Sequence, residues 1–451
     1  MWTISHHKRR FTNKVHVSIH SAIRACAILL AVSFAFLPSE ALAREGIHQD
    51  YRLEKVVIFS RHNLRAPMGS DKKKIDAMTP HTWFTPDTKA GELSKRGGLL
   101  ETMMGQYFRE YLEREQFMKP HEAPVHGNYR FFADSSERTV ATAHYFSAGL
   151  LPDASVSIEY RKPLGPVDPL FGTKIPSSLN EGEMEALQRE AESHGHRILE
   201  KNRGNLSMDY SELEQVLDVK DSKAWKEGSF TGFREGDTEL TYEAGKKPKM
   251  AGSLKLAHSL SDFLLIQYYE TEDDRKAAFG HEMSQTDWEK IGNLKDLYGQ
   301  ILYSSPSLAK AIGAPLLHFI SSEMENTRKL TYICGHDSNI SILMAALDIS
   351  PYELPESLEK KVPFGMKIVI EKWKSGSHEY GTVTLVYPST DEIRHFSPMG
   401  LSHPPMAVPL HFQGIPENED GMMDWGRLVK RFKVHKSIAI EGKEEREGTS
   451  S

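Results

Sequence analysis

Three short apolar runs, each passing through a polar junction into a helical pattern, constrain this chain more than any other feature. Glu54–Ser60 is rich in β-branched residues and reads as a buried strand. Tyr129–Ala133 and Lys329–Cys334 read the same way. Helical patterns follow at Leu93–Glu115, Ser136–Leu150 and Asn339–Leu347. In the first of these, Leu99, Met103, Tyr107 and Leu112 recur on a roughly helical period. Asp134 or Ser135 is the expected N-cap of the second helix. Val156–Tyr160 reads as a further strand. Met366–Trp373 and Gly381–Tyr387 read as two more, joined by a turn containing Gly and Ser. Strands alternating with helices predict an α/β fold, with a mixed, mostly parallel sheet covered by helices on both faces.

The texture changes between residues 166 and 300, which are charged, helical in composition and poor in strand signals. Glu183–Lys201 is a long polar helix, Lys255–Glu270 is strongly amphipathic, and Gly228–Asp237 is a polar break. This stretch is expected to be an inserted, smaller all-α domain. The α/β domain would then be discontinuous, 44–165 plus 301–440. Residues 441–451 are charged and small and are expected to be a disordered tail.

The N-terminus reads as an address. Lys8, Arg9, Arg10, Lys14 and Arg24 precede an apolar run, Ala25–Leu37, and the small-residue site Ala41-Leu42-Ala43. That is the order of a cleavable signal peptide spanning 1–43. The apolar run is too short to cross a bilayer comfortably, so no stable membrane insertion is expected after cleavage. Cleavage would remove five basic residues and one acid, Glu40, and would take the net charge from −6 to −10. It would also remove Cys26. Cys334 would then be the one cysteine, a packed small hydrophobe with no disulfide partner. The localisation expected is periplasmic or secreted. A mildly acidic chain with no long basic run is a poor nucleic-acid binder, and no nucleic acid is expected as a partner.

Chemistry-bearing residues sit at the three junctions. Ser60-Arg61-His62-Asn63-Leu64-Arg65-Ala66-Pro67 follows the first strand. Arginine forks match phosphate oxygens two at a time, and a histidine held among them can attack phosphorus. A solvated basic loop with a chance histidine is the other reading. Cys334-Gly335-His336-Asp337-Ser338-Asn339 opens a helix at the end of another strand. Asp337 could give a proton to a leaving group, or merely cap that helix. Arg138, in the first turn of its helix, opposes the dipole preference there. It calls either for an anionic ligand or for a surface pair with Glu137 or Glu101. His121-Glu122 misses the zinc-protease spacing to His126 by one residue, and Pro124 would break the helix that motif needs.

Together these residues resemble the histidine acid phosphatases. The family's R-H-G-x-R-x-P motif is matched, except for its Gly, at Arg61–Pro67. Its H-D motif is matched at His336-Asp337 and its downstream arginine at Arg138. The Arg-His-Asn-Leu-Arg-Ala-Pro and His-Asp-Ser-Asn forms and the stretch Gln267-Tyr268-Tyr269-Glu270 look most like the bacterial periplasmic glucose-1-phosphatases. The likeness runs from about residue 50 to 430. It implies a phosphoglycerate-mutase-like α/β domain with a helical insertion and the active site between them. His62 would be the nucleophile that forms a phosphohistidine, and Asp337 would protonate the leaving alcohol. Arg61, Arg65, Arg138 and His336 would hold the phosphoryl oxygens. Neither metal nor cofactor is expected, because the cationic groups supply the charge stabilisation. Asn63 stands where the family has Gly; Asn tolerates left-handed backbone. The family's periplasmic members carry several disulfides, and the mature chain can form none.

The substrate implied is a small phosphorylated molecule, a sugar phosphate or an inositol phosphate. Met68-Gly69 follow Pro67, where the phytase branch has a basic residue. Little positive charge beyond the reacting phosphate suits glucose 1-phosphate; phytate hydrolysis or a broad acid phosphatase is the alternative. By resemblance, Glu270 would face the pocket and accept hydrogen bonds from sugar hydroxyls. Its other reading is an exposed acid at a helix end. A phosphoglycerate-mutase-like isomerase and a catalytically dead binding protein are the rivals from other classes. Export and the Asp beside the second His oppose the first, and the complete constellation opposes the second.

Overall fold

The computed structural model describes residues 50–84, 86–122 and 127–433. The signal-peptide and tail segments expected at 1–43 and 441–451, and His126 of the zinc-protease spacing, lie outside the described residues. Nine strands are described: β1 (Arg52–Arg61), β2 (Tyr129–Ala133), β3 (Glu239–Thr241), β4 (Lys249–Ala251), β5 (Leu330–Gly335), β6 (Lys367–Ser375), β7 (His378–Tyr387), β8 (Met406–Pro409) and β9 (Met423–Asp424). Seven form one sheet in the order β2-β5-β1-β6-β7-β8, with β9 paired to β7. β1 pairs in parallel with β5 and β5 with β2, in register Arg61↔Gly335 and Ala133↔Cys334. β6 adds antiparallel to β1, and β7 returns as a hairpin antiparallel to β6. The sheet is therefore mixed: β2, β5, β1 and β7 point one way, and β6, β8 and β9 the other.

β1 shows why the sheet needs covering on both faces. Val56, Val57, Ile58 and Phe59 are all fully buried. Because side chains alternate along a strand, Val56 and Ile58 enter one core and Val57 and Phe59 the other. Each such side chain is worth about 1.5–3 kcal/mol on burial. The helices Lys95–Arg114 and Glu137–Leu150 close the first face. Pro306–Glu325, Asp337–Ala346 and Trp425–Phe432 close the second. Among the described residues no helix is long and apolar enough to cross a membrane.

Two expectations change. The strand expected at Val156–Tyr160 reduces to a single bridge between Phe132 and Glu159. Ile158 is the one hydrophobe of that run buried against the core, too little to hold a longer ladder. The helical N-cap at the second junction is Ser136, not Asp134 or Ser135. Asp134 is fully buried and has another role, described below. Residues 166–300 are helical as expected, with Glu181–Val216, Ser253–Tyr269 and Gln285–Tyr303 as the long members, but they also carry the β3–β4 hairpin. Glu181–Val216 begins at a capping box between Asn180 and Glu183.

Candidate active site

The parallel arrangement of β2, β5 and β1 brings their carboxyl ends to one edge, where open α/β sheets bind ligands. The first residues past those ends are Asp134, His336 and His62. The backbone N–H of His62 donates to Gly335 O (3.0 Å) and that of Asp134 to Cys334 O (3.0 Å), so the junctions are stitched together. The loop after β1 is held from below. Asn63 Nδ2 donates to Glu101 Oε2 (2.9 Å), Leu64 N–H to Asn63 Oδ1 (2.8 Å), and Asn63 N–H to Thr142 Oγ1 (3.2 Å). Glu101 in turn pairs with Lys367 at 2.8 Å, both fully buried, and accepts from Tyr332 Oη (3.0 Å). Asn63 does not adopt left-handed backbone. It is accommodated through its side-chain bonds rather than through backbone tolerance. Its packing fixes a neighbour instead: Gly365 has φ +70, and a Cβ there would lie 2.7 Å from Asn63 Nδ2. Gly97 is required for a similar reason, since its Cβ would lie 2.3 Å from Leu64 O.

His62 is buried, and its Nδ1 lies 2.8 Å from Asn63 O. A carbonyl can only accept, so Nδ1 carries the hydrogen and Nε2 keeps its lone pair. Burial, and then the charges of Arg138, Arg61 and Arg65, lower its pKa well below the usual imidazole value. Both effects favour the neutral ring.

The cationic groups surround it. Arg61 is fully buried, its Nη1 donating to Glu359 Oε1 (3.1 Å) and to Val362 O, with its guanidinium 3.8 Å from the Phe364 ring centroid. Its Nε and Nη2 are buried without a hydrogen-bond partner among the described residues, as is Nε of Arg138. Unsatisfied buried donors are costly, so three of them in one cationic cluster form a seat for an anion. Arg65 donates to Asp262 Oδ2 (2.9 Å). Arg138 turns inward rather than to Glu137 or Glu101, its Nη2 lying 3.2 Å from His336 Nδ1. His336 Nε2 meets Asp134 Oδ2 at 2.7 Å. In this state Nδ1 accepts from Arg138 and Nε2–H donates to Asp134, so His336 is neutral. Burial lowers its pKa and Arg138 adds to that, against the pull of Asp134.

Asp337 begins the helix after β5. Its Oδ1 takes the Ser338 N–H (2.7 Å), and its Oδ2 lies 3.5 Å from Arg61 Nη2. The helix cap is His336 and not Asp337, which is the first helical residue; one of its oxygens takes the Ser338 N–H and the other lies at the cluster, with the side chain 45% exposed. Its enclosure acts to raise the carboxyl, but Arg61, Lys295 and Arg65 outweigh that and hold it below the usual carboxylate range. Beside it opens a cavity of about 160 Å³, lined in part by His258, Lys295, Tyr303, Ser338 and Lys361.

Sequence reasoning missed four charged groups. Asp262 Oδ1 lies 3.1 Å from Lys295 Nζ, which lies 2.9 Å from Glu359 Oε1. A chain of pairs thus runs Arg65–Asp262–Lys295–Glu359–Arg61 and fixes both arginines of the first motif. Asp134 does the same for His336. An acid inside the apolar run Leu260–Tyr269 was the available signal for Asp262; Glu359 offered none. Glu270 stands elsewhere. It ends the Ser253–Tyr269 helix and meets the Ser94 hydroxyl and Arg96, while its Oε1 is buried without a hydrogen-bond partner among the described residues. Burial raises its pKa against those two partners. Ser94 adjoins Leu93, which pairs with Arg65, so Glu270 sits next to the loop that carries the arginines.

Comparison with known proteins identifies the family. A family model, the histidine phosphatase superfamily (branch 2), matches residues 52–388. A glucose-1-phosphatase of Salmonella typhimurium is 31% identical over 402 residues, covering 87% of this chain and 95% of that protein. A glucose-1-phosphatase of Providencia rettgeri is 31% identical over 390 residues, covering 84% and 91%. The solved phytase of Citrobacter braakii superposes with a TM-score of 0.73 at 27% identity, covering 85% of this chain and 98% of that one.

Proposed function

Because the chain belongs to the histidine phosphatase superfamily (branch 2), we propose that it hydrolyses small phosphomonoesters through a phosphohistidine on His62, with glucose 1-phosphate as the preferred substrate. That it is a phosphoric monoester hydrolase follows from the family and its glucose-1-phosphatase relatives. The residue roles and the substrate are our reading. The observation that carries it is the set of unpartnered, buried guanidinium N–H groups of Arg61 and Arg138 around a neutral imidazole whose Nε2 is free to attack.

The phosphoryl oxygens would lie against Arg61, Arg65 and Arg138. Binding a phosphate dianion offsets the positive field that holds Asp337 low, so its pKa rises and it can take up a proton. The same charge draws Arg138 away from His336 Nδ1, which can then be protonated and donate to phosphate, with Asp134 stabilising the cation. His62 Nε2 attacks phosphorus, the bond to the leaving oxygen breaks, and Asp337 gives that oxygen its proton. Asp337, now a carboxylate, takes a proton from water as the water oxygen attacks phosphorus. The P–N bond breaks, its electron pair returns to Nε2, and phosphate leaves.

Glucose 1-phosphate is favoured by Glu270. A partly buried carboxyl with an unpartnered oxygen can receive a sugar hydroxyl and would repel additional phosphates. Asp262 and Lys295 come from the helical stretch 166–300, which supports treating that stretch as an insertion that closes the site. The order of basic, apolar and small residues before Ala43 supports export with cleavage there. The test is phosphate release from glucose 1-phosphate, phytate and p-nitrophenyl phosphate, side by side, at about pH 4–6 in EDTA. Preference for glucose 1-phosphate is expected; preference for phytate would transfer the same chemistry to the other substrate; no release would overturn the assignment.

A further inference from the structure

Away from the arginine cluster, three segments far apart in sequence meet at a second group of chemistry-bearing side chains. His81 lies in the loop that follows the first motif. Asp218 lies just past the end of the Glu181–Val216 helix. His281 follows the short helix Asp274–Ala277. His81 Nε2 lies 2.7 Å from Asp218 Oδ2, and His281 Nε2 lies 3.0 Å from the same oxygen. The three ligand atoms fall within 4.8 Å of one another. We propose that His81, Asp218 and His281 form a structural binding site for a zinc-type divalent cation.

The ligand chemistry fits. Imidazole nitrogen and carboxylate oxygen are zinc donors at about 2.0–2.2 Å, which sets neighbouring donors of a tetrahedron roughly 3.3 Å apart. The two nitrogen–oxygen separations are a few tenths of an ångström shorter, and all three donors lie within 4.8 Å of one another. An ion would therefore enter by replacing two hydrogen bonds, with small shifts of the three side chains. Three protein donors leave a fourth position for water. Each side chain is about one-third exposed, 29% for both histidines and 36% for Asp218, so an ion has a path in from solvent.

The donors are also held in place. The His81 ring stacks on Phe279 at 4.7 Å and 10°, and Trp83 packs edge-on against the same Phe279 at 5.1 Å. Fully buried Gln267 ties the two loops together: its Oε1 accepts from Phe84 N–H (2.8 Å) and its Nε2 donates to Ala277 O (2.7 Å). Gln267 lies on the Ser253–Tyr269 helix that also carries Asp262, the partner of Arg65. An ion at this point would clamp the continuation of the first catalytic loop to the helical region. It would act on stability and not on phosphoryl transfer.

The test compares the full chain with His81→Gln and His281→Gln, singly and together. Glutamine keeps an N–H that can donate to Asp218 and removes the imidazole nitrogen that a metal needs. After stripping with EDTA and removal of the chelator, ZnCl₂ is titrated by calorimetry and thermal melts are followed without substrate. The reading is then independent of the catalytic assignment. The expected result is a zinc equivalent bound at or below about 10 µM and a melting temperature raised by a few degrees at saturating zinc. Both should be lost in the double variant while its metal-free melt stays close to that of the parent. Equal zinc binding and equal melting shifts in parent and double variant would overturn the proposal and leave a hydrogen-bonded cluster. The same holds if the parent shows neither.

Discussion

His62 Nδ1 lies 2.8 Å from the carbonyl oxygen of its own neighbour, Asn63, and this contact decides which ring nitrogen carries the hydrogen. The hydrogen sits on Nδ1, so Nε2 keeps its lone pair. The contact uses the backbone of Asn63, whereas its side chain is occupied with Glu101 and the Leu64 N–H. Orientation of the imidazole and stability of the loop are thus divided between two parts of one residue.

Asn63→Gly should separate them. The backbone carbonyl remains, so kcat should stay within about threefold of the parent. Glu101 Oε2 loses a buried donor, which should lower stability by about 1–3 kcal/mol. Denaturant melts and steady-state kinetics on the same samples read both. A large fall in kcat with unchanged stability would contradict this division.

Asp337→Asn should show a dependence on the leaving group. An asparagine cannot give a proton, so hydrolysis of glucose 1-phosphate should fall by about 10²–10⁴. p-Nitrophenolate leaves without help, so the burst of nitrophenolate that reports phosphorylation should slow much less, while the shared hydrolysis of the phosphohistidine should slow for both substrates. Equal slowing of the phosphorylation step on both would mean that Asp337 does not protonate the leaving group.

Asp296 predicts a pH effect on stability. Its Oδ2 accepts the Lys360 N–H at 2.6 Å, and burial, with Glu359 adding to it, raises its pKa from 3.8 to about 7. A carboxyl with a raised folded pKa binds its proton more tightly in the native state than in the unfolded one. The native state is therefore penalised as pH rises from about 4 towards 7. Asp296→Asn imitates the protonated form. Its melting temperature should match the parent near pH 4 and exceed it by several degrees near pH 7.5. A constant offset across that range would rule the effect out.

Much of this site could be read before the structure, and the reason is local. Arg61, His62, Arg65, His336, Asp337 and Arg138 each lie within a few residues of a strand end, and hydrophobic patterning locates strand ends well. Asp262 showed only as an acid inside an apolar run, and Lys295 and Glu359 were not legible, because their meaning lies in pairs between residues far apart in the chain. The Val156–Tyr160 run showed the opposite error. Its alternation is real, but a strand needs a partner ladder, and only the Phe132–Glu159 bridge is available. Asn63 showed a third kind: a residue type chosen for backbone tolerance is kept here for its side-chain amide.

Glu270→Gln addresses substrate choice. Removing the charge should lower the ratio of activity on glucose 1-phosphate to activity on phytate by about tenfold or more, as expected for one hydrogen bond to a charged group. An unchanged ratio would remove Glu270 from the specificity argument and leave it a structural partner of Ser94 and Arg96.

The most direct measurement is acid-free, denaturing quench of the parent chain with ³²P-labelled substrate, followed by alkaline-stable phosphoamino-acid analysis and peptide mapping. The account predicts label on Nε2 of His62 at a stoichiometry set by the balance of formation and hydrolysis, and none in His62→Ala, which should release no phosphate. Label on another residue, or turnover by His62→Ala, would contradict it.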